Sequence, residues 1–119
     1  ILSHAHIDHS GRLPGLVKAG YEGPIYCTRA TADIATMMLR DSAKIQREDA
    51  IYKAKKAKAG EPVLEPLYTE ENARAVAKMF EYVAFNKWEE LADDIRIRFH
   101  HAGHIPGSAI TELEIKDKL

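Results

Sequence analysis

The spacing of apolar residues changes several times along the chain, and each change marks an element. Ile1-Leu2 ahead of the small Ser3 reads as the end of a strand, so His4 and His6, two apart, would project on one face. Leu13, Leu16 and Val17 recur at helical spacing, with Pro14 tolerable in a first turn and Gly20 suited to the helix end. After Gly23-Pro24, Ile25-Tyr26-Cys27 reads as a short buried strand. Together these predict a β-α-β unit with a parallel pair of strands and the helix over one face.

Thr28 is a suitable N-cap for a long helix on which Ile34, Met37, Met38 and Ile45 fall on one side, the two methionines as core fillers. It ends in a lysine-rich run over residues 53–58. That run reads as a solvated, cationic helix end, with a phosphate-tracking patch as the alternative. A loop with two prolines follows over residues 60–66. Thr69 then caps a second helix, with Ala73, Val76, Ala77 and Phe80 at i, i+3, i+4 and i+7. A strand is predicted over residues 81–85, a turn at Asn86, Trp88 over a core edge, and a turn at Asp93-Asp94. Two alternating stretches close the chain: Ile95, Ile97 and Phe99 against Arg96, Arg98 and His100, then Ala109, Thr111, Leu113 and Ile115 against Ile110, Glu112 and Glu114. The fold class is α/β.

At 119 residues and 45% apolar content, the chain suits one globular domain. No window approaches the run of about 20 apolar residues needed to span a bilayer, which predicts a soluble protein with no membrane partner. Cys27 is the only cysteine and no signal-peptide pattern opens the chain, so a reducing, cytoplasmic setting is expected, with Cys27 a small buried side chain. A net charge of −1 gives no global sign of nucleic acid, so any such binding must be local. The absence of an initiator Met, with a ligand-type residue already at position 4, predicts an excerpt of a longer protein.

The chemistry concentrates in Ser3-His4-Ala5-His6-Ile7-Asp8-His9-Ser10. Imidazole and carboxylate suit a borderline metal such as zinc, and four of them lie within six positions. Asp8 and His9 would sit in the turn into a helix, aimed at a second point, so one loop could serve two ions. A second glycine-rich loop, His100-His101-Ala102-Gly103-His104-Ile105-Pro106-Gly107-Ser108, places His104 at a strand tip, where it would complete a set with His4 and His6. His100 and His101 point to opposite faces, so at most one approaches the metals. A supporting or merely solvated role is expected for each.

The pairing of Ser-His-Ala-His-Ile-Asp-His-Ser with Ala-Gly-His-Ile-Pro-Gly-Ser resembles the metallo-β-lactamase superfamily. More narrowly it is similar to the β-CASP ribonucleases, which include RNA-processing exonucleases and the cleavage and polyadenylation endonuclease. The similarity continues through residues 11–16, Gly23-Pro24-Ile25-Tyr26, Thr31-Ala32-Asp33 and residues 41–46, and covers nearly the whole chain. It implies a partial αβ/βα sandwich. Residues 1–119 would be an internal portion of that domain, without its first strands, its later ligands and the β-CASP cap.

By motif, the resemblance implies that His4, His6 and His104 bind one zinc and that Asp8 and His9 bind another. Asp8 would also be catalytic, orienting the attacking hydroxide. The implied reaction is hydrolysis of RNA phosphodiester bonds by the parent protein, a homo-oligomer being open, with the isolated piece inactive and holding metal weakly. His101 stands where many relatives carry Asp, and Pro106 where Leu is common. Two alternatives remain: a small-molecule thioester or lactam hydrolase on the same fold, and a non-catalytic scaffold subunit.

Overall fold

The computed structural model describes residues 1–117. Its elements in chain order are α1 (Ile7–Ser10), α2 (Leu13–Lys18), β1 (Ile25–Cys27), α3 (Arg29–Lys56), α4 (Glu70–Ala77), β2 (Phe80–Tyr82), β3 (Trp88–Ala92), β4 (Ile95–His101) and β5 (Ala109–Ile115). The α/β class is as expected, with a long helical region followed by antiparallel strands. β1 and β2 pair in parallel, Ile25 opposite Phe80 and Cys27 opposite Tyr82, whereas β3, β4 and β5 form an antiparallel sheet in that order.

The first predicted strand differs. Residues 1–3 are extended but form no ladder: the Leu2 N–H donates to the Tyr26 carbonyl and the Ala109 N–H donates to the Ser3 carbonyl, each at 2.9 Å. With one bond on each side, this segment bridges β1 and β5 rather than pairing along either. The parallel partner of β1 is β2, reached over α3 and α4, so the crossover is far longer than the β-α-β unit predicted.

α3 is capped by Thr28, whose Oγ1 accepts from the Thr31 N–H at 3.4 Å, and it runs for 28 residues, about 42 Å of helix. Its buried face is Thr31, Ala32, Ala35, Leu39 and Ala43. Ile34 and Met38 pack at the margin of the core, but Met37 is 67% exposed and Ile45 56% exposed, against expectation. Small residues won the buried stripe because the other helices lie close to this face, and alanine permits close approach of two backbones. The lysine-rich end is solvated: Lys53 pairs with Asp49 at 3.0 Å, and Lys56 lies 5.7 Å from the Tyr52 ring centroid.

α4 starts with a full capping box, Thr69 accepting from the Asn72 N–H while the Asn72 side chain accepts from the Thr69 N–H. It buries Ala73 and Val76, and the preceding Tyr68 is fully buried, its hydroxyl 2.9 Å from Ser42 Oγ on α3. Ile25 and Cys27 face this helical core, while Tyr26 packs against a second cluster of Val83, Ile97, Phe99 and Ala109. The alternation of β1 therefore separates two hydrophobic layers.

β2 is shorter than predicted and starts one residue earlier; beyond it, Val83 donates to the Cys27 carbonyl and Phe85 bridges to Phe99. Asn86 turns with φ +62°, as its residue type allows. Trp88 opens β3, a strand that apolar spacing did not predict, and its ring lies under the guanidinium groups of Arg96 and Arg98 at 4.1 and 4.5 Å. Arg96 pairs with Glu114, and Arg98 with Glu112, across the β4–β5 ladder. Among the described residues, no helix is long and apolar enough to cross a membrane.

Candidate metal centre

His4 leaves the extended segment beside Ser3, whose Oγ lies 2.9 Å from His4 Nδ1. An Nδ1–H donated there would leave Nε2 as the free lone pair. Ala5 is fully buried, and the Ser10 hydroxyl, also buried, donates to the Ala5 carbonyl at 2.8 Å, which pins the turn that carries His6. His6 occupies the N-cap position of α1, yet its side chain makes no cap hydrogen bond, so its ring is available elsewhere. Asp8 and His9 follow on α1 and are exposed, with Asp8 Oδ2 3.7 Å from His9 Nε2.

The second loop is closed by Ser108, whose buried hydroxyl accepts from the N–H groups of His104 and Ile105 at 3.1 and 3.2 Å. Gly107 holds it against α3. Its carbonyl accepts from the hydroxyls of Thr28 at 2.7 Å and Thr31 at 3.0 Å, and its φ of +81° suits glycine. A Cβ there would lie 2.6 Å from the Thr31 nitrogen.

These contacts bring His4, His6 and His104 together. One ligand nitrogen from each lies within 4.8 Å of the others, and His104 Nε2 is 3.1 Å from His6 Nδ1 across 98 residues of chain. The His9 ring stacks obliquely beside His4, 4.1 Å between centroids. Burial lowers the His4 pKa first, and the neighbouring His9, His104 and His6 lower it further, against a smaller opposing effect of Asp8. The neutral imidazole favoured in this way is the form that binds metal.

A tetrahedral zinc about 2.05 Å from each nitrogen would set the nitrogens roughly 3.3 Å apart, within the range this group spans. Three imidazole nitrogens, with the carboxylate of Asp8 and the imidazole of His9 on the neighbouring helix, suit zinc by donor chemistry. His100 and His101 lie apart from this group. His100 Nε2 is 2.8 Å from Glu112 Oε2, and the His101 ring stacks on Phe85 at 3.7 Å. Cys27 has no part in it; burial pushes its thiol pKa up to about 12. Residue spacing did not reveal the supporting roles of Ser10, Thr31 and Ser108, all buried hydroxyls whose partners lie elsewhere on the backbone. Their signal is burial of a small polar side chain, which is visible only in the fold.

Fold and site together define an α/β unit in which a three-histidine group joins the loop into α1 to the loop between β4 and β5. No family model matches the chain. The curated proteins it is similar to include three archaeal ones, each named Transcription termination factor FttA. That of Methanocaldococcus jannaschii is 35% identical over 119 residues, covering 100% of the chain and 17% of the relative. Those of Methanothermobacter thermautotrophicus and Thermococcus kodakarensis are 38% and 36% identical, over 98% and 100% of the chain and 16% of each relative. The chain thus spans about one-sixth of the length of the relatives it matches.

Proposed function

We propose that this chain carries the metal-binding part of a zinc-dependent RNA phosphodiesterase of the β-CASP type. The observation that carries this reading is the convergence of His4, His6 and His104 to within 4.8 Å, with Asp8 and His9 alongside. The relatives' name supports RNA as the substrate class, because transcription termination acts on a complex that contains a nascent transcript.

His4, His6 and His104 would hold one zinc, and Asp8 with His9 a second. Bound zinc would supply Lewis-acid stabilisation of phosphate charge and acidify water. The chain's own residues do the rest. The Ser3 contact orients His4 and its lowered pKa favours the neutral ring, the Ser108 hydroxyl fixes the backbone under His104, and the exposed Asp8 carboxylate beside His9 would accept the proton of the attacking water; the water oxygen bonds to phosphorus, the P–O bond to the leaving ribose oxygen breaks, and that oxygen is protonated from solvent.

The test is cleavage of end-labelled RNA, with zinc, by the protein that carries this sequence, wild type against His9→Ala. The reading expects cleavage by the wild type and its loss, by at least about a hundredfold, in a variant that keeps its circular dichroism spectrum. Equal cleavage by both would remove His9 and the two-metal reading with it.

A further inference from the structure

β1 and β2 end side by side at Cys27 and Tyr82, and the loop that bears His104 rests at this same end through Gly107. A groove of about 490 Å³ opens here, lined by Arg29, Ala30, Tyr82, Val83, Phe85 and Gly107 among others. That volume is within the usual range for small-molecule sites, roughly 300 to 1,000 Å³. Tyr82 is 59% exposed, with the Arg29 guanidinium 5.9 Å from its ring centroid, and Phe85 is braced by its stack on His101. The lining holds one cation and no carboxylate, and among the described residues Arg29 has no ion-pair partner.

An apolar occupant would bury Arg29 without a counter-charge, at a desolvation cost with nothing to offset it. A nucleotide matches both features, since its base has a π-face for the tyrosine and its phosphate accepts from the guanidinium. Gly107 lines this groove and also belongs to the loop that carries His104, so the two share one loop.

We propose that this groove is a subsite for one unpaired base of single-stranded RNA, stacked on Tyr82 with a flanking phosphate on Arg29. The proposal rests on the RNA reading above for its substrate class.

The test uses a short oligouridine with one 2-aminopurine, added to the intact chain; anisotropy reads binding, and fluorescence quenching reads stacking. Tyr82→Ala is expected to abolish quenching and weaken binding about tenfold, while Tyr82→Phe keeps both within about twofold. Arg29→Ala is expected to flatten the dependence of log affinity on log salt by about 0.7. Quenching unchanged in Tyr82→Ala, or no binding by the wild type, overturns the subsite. Tyr82-dependent quenching without any zinc-dependent cleavage keeps the subsite and discards the phosphodiesterase. Cleavage that needs His9 but ignores Tyr82→Ala does the reverse.

Discussion

Burial sets the chemistry of individual side chains here. The Cys27 thiol, on the face of β1 that packs into the helical core, is enclosed, and its pKa is pushed from 9.0 to about 12. Because the folded pKa exceeds the unfolded one, the native state binds more protons between them. Stability from this group is therefore complete below pH 9 and is lost as pH rises from about 9 to 12. At pH 8 a disulfide reagent such as Ellman's should titrate no thiol in the native chain and one after denaturation; rapid native labelling would contradict the enclosure. His4 moves in the opposite sense, its pKa lowered first by burial and then by the imidazoles of His9, His104 and His6. The residue types that do this chemistry were legible at once, since His4, His6, Asp8 and His9 crowd within six positions. The hydroxyls of Ser10, Thr31 and Ser108 were not legible, because nothing in a lone serine or threonine says which carbonyl it will meet.

At the scale of elements, the long helix was legible in extent and only partly in orientation, since Ile34 and Met38 pack on the core while Met37 and Ile45 do not. Its cap, length and cationic end followed from local rules, but the buried stripe runs through Thr31, Ala32, Ala35, Leu39 and Ala43, with Ile34 and Met38 at its margin. Leu39→Ala should lower stability by about 2 to 5 kcal/mol, whereas Met37→Ala should change it by less than about 0.5 kcal/mol, both read from urea unfolding at constant m-value. Similar losses at the two positions would mean that the helix is rotated from the placement described. The joint between α3 and the His104 loop makes a second expectation. Gly107→Ala brings a Cβ to within 2.6 Å of the Thr31 backbone at a φ that disfavours it, so it should cost more than about 1 kcal/mol and also weaken zinc binding. Thr28→Ala removes a cap and one loop hydrogen bond at a cost of about 1 to 2 kcal/mol. A Gly107→Ala chain with wild-type zinc affinity would show that the loop is held by other means. β3 escaped prediction because its Trp-Glu-Glu-Leu-Ala sequence lacks a clean two-residue period, and its partners Arg96 and Arg98 come from the next strand.

For the whole molecule, the histidine group ties the start of the chain to its last hairpin. A ligand that binds His4, His6 and His104 together binds the folded state far better than the unfolded one, so zinc should raise the melting temperature in proportion to the logarithm of its concentration. The stabilisation is about 2.7 kcal/mol at a hundredfold excess over the dissociation constant, and His104→Ala should remove most of it. A zinc response that survives His104→Ala would place binding on the first loop alone. Since protons compete with metal for the imidazole nitrogens, the response should fade on acidification.

Sequence alone determined what depends on residue type and near neighbours: the α/β class, the caps at Thr28 and Thr69, the alternating β4 and β5, and the dense ligand-type loop beside a second, glycine-turned one. Tertiary structure decided which elements meet. It paired β1 with β2 across more than fifty residues, left residues 1–3 as a two-bond bridge and exposed Met37. It also brought His104 within 3.1 Å of His6. The physical reason is that caps and periodicity arise from contacts within a few residues, whereas pairing and burial minimise the free energy of surfaces that the chain order does not place side by side.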